Sequence, residues 1–101
     1  MKILFNEQDV INSVCVFTAE RYNEVIRNLE AELLFEESRG IYATASTING
    51  HRIYEITEQD IVDGTAIYLD KYHNFDPNTL SIELFFDQDN GVSAVIEVVQ
   101  E

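Results

Sequence analysis

The sequence predicts an α+β domain built from two tandem α-β-β repeats, forming an antiparallel sheet with two helices packed on one face. Three observations predict it. The chain matches itself when shifted by 51 positions. Two stretches carry apolar residues at helical spacing, and each is followed by two runs of period-two alternation around a glycine turn. With 101 residues the chain is read as a single domain over 1–101, with repeat 1 at about 3–50 and repeat 2 at about 54–101.

The self-match runs without a gap. Glu7-Gln8-Asp9 meets Glu58-Gln59-Asp60, and Asn23 meets Asn74. Leu29, Glu32, Leu33 and Phe35 meet Leu80, Glu83, Leu84 and Phe86; Gly40 and Ala43 meet Gly91 and Ala94. Other pairs keep their chemistry, among them Val10/Ile61, Val16/Ile67, Phe17/Tyr68 and Ile41/Val92.

Each copy opens with a short apolar segment. Asn6 and Thr57 then supply side-chain oxygens that can accept from free N–H groups at a helix start. Asp9 and Asp60, three residues on, complete a capping box and oppose the positive end of the helix dipole. The first helix is expected from about Glu7 to Tyr22, with Val10, Ile11, Val14, Phe17, Thr18 and Tyr22 on its core face. The second is expected from about Glu58 to His73, with Ile61, Val62, Thr65, Tyr68, Leu69 and Tyr72 inward. Asp76-Pro77 stops any continuation, because proline disfavours helical backbone in the residue before it. Leu29–Glu36 and Leu80–Asp87 alternate as half-buried strands. Gly40 and Gly91 then turn the chain into strands near 41–48 and 92–99. Asn49-Gly50 signals a further hairpin, leading to a strand near Arg52–Ile56. The element order is therefore β-α-β-β-β-α-β-β.

Composition sets limits on function. Six Lys and Arg oppose 19 Asp and Glu, for a formal charge of −13. Such a surface repels phosphate backbones and anionic lipid headgroups, so neither a nucleic acid nor a membrane is expected as a partner. No run approaches the roughly 18 apolar residues of a membrane span, and the expected location is the cytoplasm. Cys15 is the single cysteine, so no internal disulfide can form.

No constellation fixes a reaction, and no catalytic residue, cofactor or metal ligand is named. Cys15 lies beside the apolar stripe of its helix and reads as a buried structural thiol, with His51 and His73 distant in sequence. His51 follows a turn and is expected to be exposed; His73 favours the negative end of its helix dipole. Asp87-Gln88-Asp89-Asn90-Gly91 resembles the opening of a calcium loop but lacks the spacing and the closing glutamate. Together with Glu36-Glu37 at the equivalent turn, it supports a second reading, a divalent-cation or small-ligand binding domain that uses acidic hairpin turns.

Four residues stand out as interaction candidates. Leu34 and Phe85 occupy equivalent outward positions where alternation calls for polar residues, with Val95 and Ile48 on the same face. Gln8 and Gln59 recur in both helix starts, and capping does not account for them.

The segments Glu7–Phe17 and Glu83–Ala94 resemble the YxcD-like family of small proteins of unknown function from Bacillus-type bacteria. The likeness covers nearly the whole chain. It implies a small cytoplasmic bacterial protein and brings no activity, cofactor or site residue with it. The leading expectation is a non-enzymatic protein-interaction or structural module that self-associates as a homodimer through its sheet.

Overall fold

The structure, a computed structural model, describes residues 1–99. The expected second copy runs on to residue 101, and its last two positions lie outside the described residues. The elements are β1 (Lys2–Phe5), α1 (Glu7–Tyr22), β2 (Leu29–Glu36), β3 (Gly40–Thr47), β4 (Ile53–Ile56), α2 (Glu58–His73), β5 (Leu80–Asp87) and β6 (Gly91–Val98). A short 3-10 turn precedes β2 and another precedes β5.

Both helices begin with the expected capping box. The Asn6 side chain accepts from the Asp9 N–H at 2.9 Å, and the Asp9 carboxylate accepts from the Asn6 N–H at 3.0 Å. Thr57 and Asp60 repeat the exchange at 3.1 Å in both directions. Both helices also end alike. Asn23 and Asn74 take up left-handed backbone at φ 57° and 60°, which asparagine tolerates better than most residues. That conformation accounts for an identity that periodicity left unexplained.

The sheet layer consists of two three-stranded antiparallel sheets, ordered β1-β6-β5 and β2-β3-β4. Strand pairing exchanges the leading strands between repeats. β4 opens the second repeat but pairs with β3 of the first, held there by the Asn49-Gly50 turn. β1 opens the first repeat and takes the same place beside β6 of the second. Equivalent residues meet equivalent partners: Phe5 lies opposite Ala94, and Ile56 opposite Ala43. Neither repeat completes its own sheet.

Both helices pack on the inner faces. Ile41, Ala43 and Ala45 of β3 and Val92, Ala94 and Ile96 of β6 are buried beneath Val10, Val14, Phe17, Ile61 and Leu69. The alanines on these central strands leave room for close helix approach. The molecule measures 45 × 30 × 19 Å, and its thinnest dimension matches one helix layer on one sheet layer.

The two halves meet around a pseudo-two-fold axis. Phe35 and Phe86 stack with ring centroids 4.3 Å apart. The helices cross at Ser13 and Gly64, also equivalent positions, and both are buried. A Cβ on Gly64 would stand 2.6 Å from the Ser13 carbonyl oxygen and 2.8 Å from Phe17 Cβ, so only glycine permits this approach.

The glutamates of the repeated triplets bind the halves together. Val92 N–H donates to Glu7 Oε2 at 3.3 Å, and Ile41 N–H donates to Glu58 Oε1 at 3.2 Å. Each helix start thus caps a hairpin of the other repeat. A Cβ on Gly91 or Gly40 would run into these carboxylates, and both glycines already have φ above +70°.

Several core assignments change. Tyr22 and Tyr72, expected inward, are exposed, while Ser13, Val16 and Gly64 are buried. The helix-to-helix crossing claims those positions, so the buried stripe turns away from the tyrosines at the helix ends.

Candidate functional site

A groove of about 750 Å³ opens between α1, α2 and β2. Residues of α1 form its floor: Gln8, Ile11, Asn12, Cys15 and Val16. Tyr68 and Tyr72 of α2 form one wall; Ile26 and the start of β2, including Glu30, form the other. Its size and mixture of an apolar floor with a few polar groups suit a small-molecule site.

Cys15 is half-buried in this groove rather than sealed in the core. It shares this groove with Ile26 of the short 3-10 turn and with the start of β2. Burial pushes the thiol pKa up, so the thiol stays protonated near neutrality. No histidine lines the groove among the described residues. A protonated thiol without a base beside it is a poor nucleophile.

Gln8 also lines the groove. Its amide donates to Asn12 Oδ1 at 3.0 Å, one turn along α1. Gln59 repeats the arrangement in α2, donating to Asp63 Oδ1 at 2.9 Å. The glutamines therefore orient a second polar residue on each helix surface.

Leu34 and Phe85 lie on outer sheet faces, as alternation predicts, but on different sheets. β2 pairs with β3 and β5 with β6, so the two residues are not neighbours on paired strands. Leu34 is half-buried opposite Tyr42, whose ring carries the Arg39 guanidinium at 3.8 Å. Arg39 also pairs with Glu55 at 2.6 Å, and Tyr42 donates to Glu36. Phe85 is 45% exposed, opposite Ser93. On the same outer face Val95 pairs with Leu4, which is 71% exposed. Leu4, Val95 and Phe85 thus put three apolar residues on the outer face of this sheet, where their equivalents on the other sheet are Glu55, Thr44 and Leu34; that other face carries Ile53, 72% exposed, instead.

The ends of the molecule have also diverged. Glu24 accepts from the Tyr54 hydroxyl at 2.5 Å and from Arg52 at 3.3 Å, and Tyr22 stacks on Tyr54 at 4.1 Å. The Tyr54 hydrogen bond, helped by Arg52, holds the Glu24 carboxyl below the usual carboxylate range. The same bond pushes the Tyr54 hydroxyl above its ordinary value. At the opposite end the equivalents of Glu24, Tyr54 and Arg52 are Phe75, Ile3 and Met1, whose side chains cannot repeat this hydrogen bonding, and the equivalent of Tyr22 is His73.

The Asp87–Gly91 turn is hydrogen-bonded within itself. Asp87 accepts from the Asp89 N–H at 2.8 Å and from the Asn90 amide at 3.2 Å. Among the described residues no three His, Cys, Asp or Glu side chains converge as metal ligands would. No helix among them is long and apolar enough to cross a membrane.

The repeat also organises the similarity to known proteins. The model of a family described as protein of unknown function (DUF2653) matches residues 1–55 and 51–101, the two halves found above. The chain belongs to that family. It is 30% identical over 99 residues to the uncharacterized protein YxcD of Bacillus subtilis (strain 168), covering 97% of this chain and 95% of the relative. No solved structure matches.

Proposed function

We propose that this DUF2653 protein is a non-enzymatic module of the bacterial cytoplasm that self-associates through the outer face of β1-β6-β5. The supporting observation is the apolar set of exposed Leu4 and Phe85 with half-buried Val95 on a face that alternation would make polar. A chain of charge −13 repels its own copies over most of its surface. This face dilutes that charge. Ser81 and Ser93 accompany the apolar residues, Glu83 lies opposite Val95, and Lys2 lies 3.9 Å from Glu97. Both signs at the rim suit a two-fold contact, in which one patch meets its own copy and the assembly closes. The protonated thiol of Cys15 supports a non-catalytic role, and a lone cysteine fits a reducing compartment.

Sedimentation velocity over micromolar concentrations tests the reading. A dimer is expected, strengthened by added salt as repulsion is screened and lost in Phe85→Glu. A strict monomer over the whole range would overturn it.

A further inference from the structure

β2 is an edge strand. It pairs with β3 on one side, and among the described residues no strand pairs with the other. The register fixes which backbone groups face that open side. Ile48 N–H donates to the Asn28 C=O, so Glu30 and Glu32 turn their backbone groups towards β3, while Ala31 and Leu33 turn theirs away. The Leu29 N–H donates to the Ile26 C=O. The Leu29 C=O and both backbone groups of Ala31 and Leu33 are left without a protein partner among the described residues.

The two sides of this edge differ in chemistry. Glu30 and Ala31 border both the groove over α1 and a shallow depression on the outer face beside Thr44 and Ser46, so the groove opens along this edge. On the inner side its floor is apolar, with Ile11, Cys15 and Val16. On the outer side the Glu30 and Glu32 side chains are exposed, and neither has an ion-pair partner among the described residues. A second copy is poorly suited to this edge. Antiparallel pairing of two β2 strands about Ala31 sets Glu30 of one copy opposite Glu32 of the other, and like charges facing across strands are destabilising. The equivalent edge, on β5, carries Ser81 in place of Glu30.

We propose that the open edge of β2 takes up an extended segment of a partner protein in which apolar residues alternate with lysine or arginine. Its backbone exchanges hydrogen bonds with Leu29, Ala31 and Leu33 and adds a strand to the β2-β3-β4 sheet. Side chains alternate in the added strand as they do in β2. Those on the inner side enter the groove over Ile11, Cys15 and Val16. Those on the outer side lie beside Glu30 and Glu32, where opposite charges across strands stabilise the pairing. The carboxylates that oppose pairing between copies of this chain thus select a basic strand.

The test is calorimetric titration of the full chain with capped peptides of roughly seven residues, the length of an ordinary strand. About 150 mM salt screens diffuse attraction to the acidic surface. The probe alternates valine and lysine. One control has the same residues in two blocks, and another is the alternating peptide with every backbone nitrogen methylated. All carry the same charge. The probe is expected to bind at one site per chain, and each control about tenfold more weakly or not at all. Binding should slow hydrogen exchange of the Ala31 amide and thiol-reagent labelling of Cys15. The double variant Glu30→Lys, Glu32→Lys is expected to lose the lysine peptide and to gain its valine–glutamate counterpart. Both positions are exposed, and an unchanged melting temperature shows that the fold is intact. The proposal is overturned if the probe does not bind, if either control binds as well, or if the double variant keeps the parent's preference. Protection of the Ala31 amide that grows with protein concentration in the absence of peptide would assign the edge to a second copy and would also overturn it.

Discussion

The smallest residue at the helix crossing has the largest structural consequence. Gly64 lets α2 approach the Ser13 carbonyl more closely than any side chain permits. Gly64→Ala should raise intrinsic helix propensity and still destabilise the protein, because the added methyl meets backbone rather than a flexible side chain. A loss of about 1–3 kcal/mol in urea unfolding is expected. Glu24 is a second residue with a directional effect. Its carboxyl is held below the usual range, so it contributes stability above an unfolded value of about 4.3. That contribution disappears as pH falls through the lower folded value. Glu24→Gln should therefore lower Tm at pH 7, and the gap from the parent should narrow once pH falls below about 4.3 and close as it passes through the lower folded value. A constant gap down to pH 2 would show that the charge of Glu24 plays no part.

At the scale of elements, local chemistry suffices for boundaries but not for pairing. The helices run over Glu7–Tyr22 and Glu58–His73, where their capping residues and apolar spacing place them. Asn6→Ala and Thr57→Ala should each cost about 1 kcal/mol in chemical denaturation, since each leaves a helix-start N–H without its partner. The Asn49-Gly50 turn made β4 legible as the neighbour of β3. Nothing local told that β1 lies beside β6, because the two are separated by almost the whole chain. Ser13 and Gly64 were equally hidden, since small or polar residues add nothing to a hydrophobic period. Glu7 and Glu58 read as helix-start acids, and their bonds to the opposite hairpins appear only when the halves are assembled. Cys15 read as core because helical spacing cannot show that a groove opens between α1 and β2. The outward Leu34 and Phe85 were legible from alternation alone, though not their separation onto two sheets.

At the scale of the molecule, the two copies form one interlocked body. Each sheet contains strands from both repeats, the helices cross at equivalent positions, and each helix start binds a hairpin of the other half. Beyond the buried Ser13/Gly64 crossing, the copies diverge on surfaces: the outer face of one sheet, the groove beside Cys15, and the Glu24 network at one end. Those are the places where the repeat stops explaining the residues. The rest of the chain maintains the two-fold frame that presents them. Native-state hydrogen exchange tests this interlocking most directly. The buried amides of β3 and of β6 should converge on one opening free energy as denaturant rises, because neither sheet can open without losing strands of both repeats. Exchange of one sheet through a separate, lower-energy opening while the other stays protected would contradict the account.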